Sequence, residues 1–244
     1  MDFRGYLDHI RSDGDLIAAT APRGLDLPVP VCSPWKVRDV VAHMASVYDH
    51  KVIAMRLGRR PEQGEWTTDT PFGKDTVEWF ADEHAKLLAQ LVSHSPAAHA
   101  WTWWEPDQTV GFWYRRMALE TVVHRVDVES QFGAPRAIDA ALAVDGIDEV
   151  LTIMLAGDEE ASASVPGTGT VEVVADDAAW WVVLEESRTV VTPGLRTSPN
   201  AVLSGDPATL FLYLWGRAPI DTLTRRGDES RIAVLRSRLA AATQ

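Results

Sequence analysis

The chain holds a single cysteine, Cys32, among 244 residues. One thiol closes no internal disulfide and builds no cysteine-rich metal site, so any thiol pair needs a second molecule. Long apolar runs are missing too. The start, Met1 to Tyr6 followed by Asp8, His9 and Arg11, has no signal-peptide core. No stretch approaches the roughly 18 apolar residues of a spanning helix. Both absences fit a reducing cytoplasm. Positive charge is scarce as well: 23 basic against 35 acidic residues leave −12, which repels nucleic-acid backbones and anionic membrane surfaces. Repeats and low-complexity tracts are lacking, and Gly167-Thr168-Gly169 lacks the rest of a phosphate-loop fingerprint. What is present is ordinary. Hydrophobic residues at 46% and charged residues at 24% exclude a disordered chain, a collagen-like repeat and a disulfide miniprotein. The length admits one or two domains.

The periodicity predicts an amphipathic helix over 2–20, broken by Pro22, Pro28 and Pro30. Ser33-Pro34 reads as an N-cap with proline at the first helical position, opening a second helix that Gly58 ends. A third follows over Val77 to Leu91, a fourth over Gln108 to Ser130, and, after the break Gly133-Ala134-Pro135, a fifth over Ile138 to Leu155. The fold class expected is α+β multidomain: an N-terminal antiparallel four-helix bundle in residues 1–157, then a small α/β domain in 168–244. Residues 156–169 are small, acidic and aperiodic, the composition of a linker. Beyond them come short β-rich runs at Thr170–Ala175, Ala179–Glu185, Thr189–Thr192 and Ala201–Ser204. A helix capped by Asp206-Pro207 and a last helix from about Asp228 complete the pattern.

All seven histidines (His9, His43, His50, His84, His94, His99 and His124) lie in the first 124 residues, so imidazole chemistry belongs to the helical part. Glu120, His124 and Asp127 fall within about 60° of one another on a helical wheel and share one stripe. Trp113, Met117 and Val123 flank it, so carboxylate and imidazole project from an apolar arc. Buried charge needs a partner, and a divalent metal satisfies both groups. A histidine on the facing second helix completes the set. His43, among Val40, Met44 and Val47, is placed for this, with His50 two turns further on. Three protein ligands, His43, Glu120 and His124, leave a fourth position open, the catalytic arrangement of zinc. The plainer reading of a helical Glu-xxx-His pair is a surface contact. His50 and His84 read as satisfied polar residues, and Cys32 as a small buried apolar group. The Trp101 to Trp104 cluster reads as packing. Arg116 pairs with a carboxylate, and Arg115 is solvated.

Four segments carry a family resemblance: Cys32-Ser-Pro-Trp-Lys-Val-Arg-Asp-Val-Val-Ala-His43, Gly111 through Glu120 and His124 to Asp127, Leu142 to Glu149, and Leu203 to Arg217. The sequence resembles the mycothiol-dependent maleylpyruvate isomerase family over nearly its whole length. That resemblance implies a DinB-like bundle, zinc held by His43, Glu120 and His124, and a sterol-carrier-like second domain whose Arg217 faces the cleft. It further implies a small thiol, mycothiol, used as thiolate for cis-trans isomerisation of a maleylpyruvate-like electrophile or for thiol transfer. Arg217 and Arg116 are the candidate cations for substrate or thiol carboxylates, and Asp127 is the candidate catalytic carboxylate. The expected partners are a small thiol and a small electrophile, with neither nucleic acid nor membrane, in a monomer or homodimer. Two other readings stay open: a metal-dependent hydrolase using Asp127 or Asp39 as base, and a non-catalytic ligand-binding bundle.

Overall fold

The computed structural model describes residues 1–243. They divide into two compact units, Met1–Arg136 and the part from Ala137 onward.

The first unit holds four long helices: α1 (Phe3–Thr20), α2 (Val37–Leu57), α3 (Thr76–Val92) and α4 (Val110–Glu129). Side chains fix three of the starts. Asp2 accepts from Gly5 N at 2.7 Å, Asp75 from Val77 N at 2.9 Å, and Thr109 from Phe112 N at 3.4 Å. The second helix does not begin at Ser33-Pro34 as its cap pattern suggests. Residues 27–36 double back instead, with Val29 N donating to Trp35 O at 2.8 Å and Val37 N to Leu27 O at 2.9 Å. The helix therefore starts at Val37, where Asp39 accepts from Lys36 N at 2.8 Å. Gly58, at φ +64, closes it in the left-handed region that favours glycine. α1 packs on α4 and α3, and α2 on α3 and α4. Of these helices α4 is the one buried on nearly every face.

Burial on all sides forces α4's polar groups to find partners inside the protein. Thr121 Oγ1 donates to Met117 O at 2.6 Å and lies 2.7 Å from Tyr48 Oη, while Arg125 reaches Asp13 at 2.9 Å and Glu129 at 2.6 Å. On the far side of α1, buried His84 donates to the Ile10 carbonyl at 2.9 Å and stacks on Phe80. Gly14 makes room for that ring, since a Cβ there would lie 2.4 Å from His84 Nε2.

The second unit differs from the expected boundaries of 1–157 and 168–244. The division falls after Arg136, at the Gly133-Ala134-Pro135 break, so the helix read as the last of the bundle belongs here. That helix is α5 (Ala140–Glu149), continued by a π-helical turn over Val150–Leu155. It packs on α7 (Pro207–Leu214), and its continuation packs on β3 and α8 (Glu229–Ala242). Four bundle helices therefore come from the first 136 residues alone.

A five-stranded sheet in the order β3-β2-β1-β4-β5 carries these helices. The strands are β1 (Gly169–Ala175), β2 (Ala178–Leu184), β3 (Thr189–Pro193), β4 (Ala201–Gly205) and β5 (Thr224–Gly227). Only the β1–β4 pair is parallel, with Val173 opposite Leu203. Buried and half-buried residues alternate along β1 and β2, which places Val171, Val173, Trp180 and Val182 on the covered face. The short polar strand β5, Thr-Arg-Arg-Gly, has no apolar alternation and was not predicted.

The supposed linker is structured. It contains α6 (Glu159–Ser164), capped by Asp158, which accepts from Ala161 N at 2.7 Å. Arg238 on α8, fully buried, ties the segment down. Its guanidinium donates to Val165 O at 3.1 Å, Gly167 O at 2.9 Å, Glu185 O at 2.7 Å, Arg188 O at 3.1 Å and Thr189 Oγ1 at 3.0 Å.

Two predictions follow from this packing. Arg238→Ala strands those acceptors and should lower unfolding free energy by about 2–4 kcal/mol, read from the denaturant midpoint of the whole protein. Burial pushes the His84 pKa below its ordinary value, so the unfolded chain takes up that proton more readily than the folded one. The stability from neutral His84 is full above the unfolded value of about 6.5 and shrinks as pH falls below it. The midpoint of His84→Gln should therefore fall less between about pH 7 and about pH 5 than that of the parent chain.

Candidate metal centre

His43 on α2 and Glu120 and His124 on α4 converge. His43 Nε2 and His124 Nε2 each lie 3.4 Å from Glu120 Oε1, and the three donor atoms all lie within 4.8 Å of one another. Helical spacing sets half of this, because Glu120 and His124 are one turn apart on the same face of α4. Packing of α2 on α4 supplies the other half by bringing the His43 ring to 5.1 Å from that of His124. Trp35, at the end of the doubled-back loop, lies 5.0 Å from the His43 ring. The centre is sheltered but open on the His43 side, whose side chain is 33% exposed against 17% for Glu120 and 10% for His124.

A second layer holds the donors in place. Asp127 Oδ2 lies 3.0 Å from His124 Nδ1, which makes Nδ1 the protonated nitrogen and turns Nε2 toward Glu120 and His43. Arg116 pairs with the other Glu120 oxygen, Oε2, and is itself buried. Burial opposes charge on His124, but the hydrogen bonds and charges of Asp127 and Glu120 outweigh it and raise the imidazole to about 9. Burial likewise opposes the Glu120 carboxylate, and Arg116, His124 and His43 together hold it well below the usual carboxylate range. Two imidazoles and a carboxylate, oriented from behind, fit a zinc-class divalent ion with an open position.

The three residues expected to share a site converge in space, and Asp127 and Arg116, expected beside them, lie next to them. Asp127, read as a catalytic carboxylate, is almost fully buried behind His124, where the geometry makes it a positioning group. Asp39 caps α2. Arg116 meets a carboxylate as expected, and that carboxylate is Glu120. Cys32 does not share the triad's helical stripe, yet the loop fold brings its Sγ to 3.4 Å from Asp127 Oδ2. Arg217, in the second unit, donates from Nη1 to Trp215 O at 2.7 Å. Further along α2 lie His50, read as a satisfied polar residue, and Lys51, which carried no expectation. His50 Nδ1 lies 3.2 Å from Lys51 Nζ, whose ammonium sits 5.1 Å from the Trp113 ring centre. Burial, then Lys51 and Arg60, lower His50 to about 4, and burial lowers Lys51 to about 8. Spacing on α2 alone does not reveal this setting, which depends on Trp113 of α4 and on Trp66 and Trp101 outside both helices.

A helical unit with two histidines and a carboxylate gathered on facing helices, followed along the chain by a small mixed-sheet unit, defines a two-part protein with a metal-binding motif in its helical part. Family models sharpen this: the mycothiol maleylpyruvate isomerase N-terminal domain matches residues 9–129, and its C-terminal domain matches 141–233. The chain belongs to the mycothiol-dependent maleylpyruvate isomerase family. The gap between the two matches brackets the division after Arg136. Among solved structures, the crystal structure of the mycothiol-dependent maleylpyruvate isomerase is similar at TM-score 0.57 and 15% identity, covering 92% of this chain and 93% of that one. A histidine-to-alanine variant of that enzyme is similar at TM-score 0.59, with the same identity and coverage. No curated protein matches the sequence. Among the described residues no helix is long and apolar enough to cross a membrane.

The geometry yields a metal prediction. The purified protein should take up one divalent ion, and His43→Ala, Glu120→Ala and His124→Ala should each abolish it in elemental analysis. Asp127→Ala keeps all three donors but frees the imidazole, so chelator competition should show the ion held about 10–100-fold more weakly.

Proposed function

We propose that this protein is an enzyme that uses zinc and a low-molecular-weight thiol of the mycothiol class, for cis-trans isomerisation of a maleylpyruvate-like electrophile or for thiol transfer. The observation that carries the reading is the convergence of the three donor atoms within 4.8 Å, in a chain of this family. Bound there, a zinc-class ion supplies a Lewis-acid position at which a thiol, ordinarily of pKa about 8.5, is held as thiolate at neutral pH.

The protein's own residues prepare that chemistry. His43 and His124 each turn Nε2 toward Glu120, and Asp127 fixes which nitrogen of His124 points inward. Arg116, paired with Glu120, keeps that carboxylate ionised and aimed. Arg217 is the proposed contact for a carboxylate of thiol or electrophile. Cys32 is a poor nucleophile here. Its S–H is the donor to Asp127, whereas attack requires the thiolate. The nucleophile therefore comes from outside the chain. Asp127, committed to His124, is also poorly placed as the base that a hydrolase needs.

The test is a cobalt-substituted protein titrated with mycothiol. A sulfur-to-cobalt charge-transfer band should grow with thiol in the parent protein and in Cys32→Ser, and be absent from His43→Ala. Full cobalt loading with no new band on thiol addition would overturn the reading.

A further inference from the structure

Arg236 is a charge that the second unit leaves unanswered. It sits half-buried on α8, and its Nη1 is closed off from solvent with no hydrogen-bond partner among the described residues. None of their carboxylates lies within 4.0 Å of its guanidinium. Arg238, two residues on, shows the usual outcome for a buried guanidinium, since five acceptors meet it. Burial works against the charge on Arg236, the Tyr213 hydroxyl partly offsets this, and Arg217 adds to it. A lysine so placed sheds its proton, but a guanidinium stays charged inside a protein. An anion from outside the chain relieves that cost.

Three elements build the corner around it. On β5, Arg225 stands opposite Leu203 of β4, which places it on the sheet face that α7 and α8 cover. On α7, buried Tyr213 carries a hydroxyl on which the charges of both Arg236 and Arg225 act, and that hydroxyl has no hydrogen-bond partner among the described residues. The helix ends at Gly216, at φ +75, where a Cβ would overlap Arg236 Nη2, so the turn after α7 and the guanidinium are in contact. Arg225 is already answered, by Glu229 at 3.4 Å and Asp221 at 3.8 Å, both largely exposed. Arg236 is not. A planar carboxylate is satisfied by one guanidinium fork. A tetrahedral dianion, with oxygens pointing several ways, uses the fork and the phenol O–H together and offsets more of the positive charge gathered here.

We infer that Arg236, with the Tyr213 hydroxyl beside it, forms an anion site of the second unit, at the corner of α7, α8 and β5, for a phosphate-class dianion. The site lies wholly within that unit and draws on no residue of the metal centre. Arg236 also falls beyond the stretch 141–233 that matches the family's C-terminal domain, so neither the zinc nor the thiol reading assigns it a role.

The experiment is calorimetric titration of the metal-free whole protein with inorganic phosphate, at slightly alkaline pH where phosphate is a dianion. Parent, Arg236→Gln, Arg236→Lys and His43→Ala are compared, with the melting temperature measured for each. The parent should bind one phosphate saturably, and acetate far more weakly. Arg236→Gln should bind phosphate at least about tenfold more weakly, as expected for loss of a charge-assisted contact. Arg236→Lys, which keeps the charge but not the fork, should fall between the two, and His43→Ala, which cannot hold the metal, should bind as the parent does. Folded Arg236→Gln that binds phosphate as the parent does would overturn the inference. So would a parent that binds no phosphate, or one that binds acetate equally well. Should Arg236→Gln not fold, Arg236→Lys decides: binding weaker than the parent's sustains the site, and binding equal to it removes the site.

Discussion

A carboxylate placed midway along a helix buried on nearly every face must be compensated, and here the compensation of Glu120 organises much of the first unit. One oxygen is taken by Arg116, and the other faces two imidazole nitrogens. A single cation would satisfy Glu120 and end the matter. Two histidines converging on the same oxygen go further, because each is a donor only while protonated and a ligand otherwise. Protonated, the cluster is a closed hydrogen-bonded knot. With protons removed, the same atoms form three sides of a coordination site. Asp127 behind His124 decides which nitrogen makes that change.

The second unit obeys the same rule with the signs reversed. Arg238 is fully buried, and backbone carbonyls and one hydroxyl answer it. The effect is structural: in a segment with little apolar content, 156–169, the carbonyls of Val165 and Gly167 are held by this one side chain, beside the packing of α6 on α8. This is why composition misleads there. Small and acidic residues describe what a segment cannot bury, and say nothing of a guanidinium supplied from α8, some seventy residues away.

What could be read in the sequence follows from how local its cause is. The α1, α3 and α4 starts were legible from their apolar period, and the α7 start from its Asp206-Pro207 cap, all causes that lie within the helix or beside it. Glu120 and His124 were legible because one helical turn joins them, and His43 because it sits among the apolar residues of the neighbouring helix. The start of α2 was misplaced because Ser33-Pro34 carries a cap's pattern while hydrogen bonds from Val29 and Val37 bend the chain elsewhere. The domain boundary was misplaced because α5 has the same apolar period as a bundle helix, and only its packing partner α7, far along the chain, reveals its allegiance. Asp127 was found, but its role depended on a rotamer. Cys32 and Lys51 were hidden more deeply, each defined by a residue on another element, Asp127 for one and Trp113 for the other.

This division between local and distant causes also separates what the family shares from what sets a particular substrate. A carboxylate and a histidine one turn apart, faced by a second histidine, can be reproduced by almost any pair of packed helices, so the triad defines a reactive position and little else. Discrimination between electrophiles has to come from groups that touch the rest of the ligand. In the first unit the side chains around the triad that lend it no donor atom include Trp35, 5.0 Å from the His43 ring, Cys32, 3.4 Å from Asp127 Oδ2, and those in the half of α2 beyond His43. The Lys51, His50 and Trp113 arrangement lies on and beside that half of α2 and contributes no donor atom to the triad.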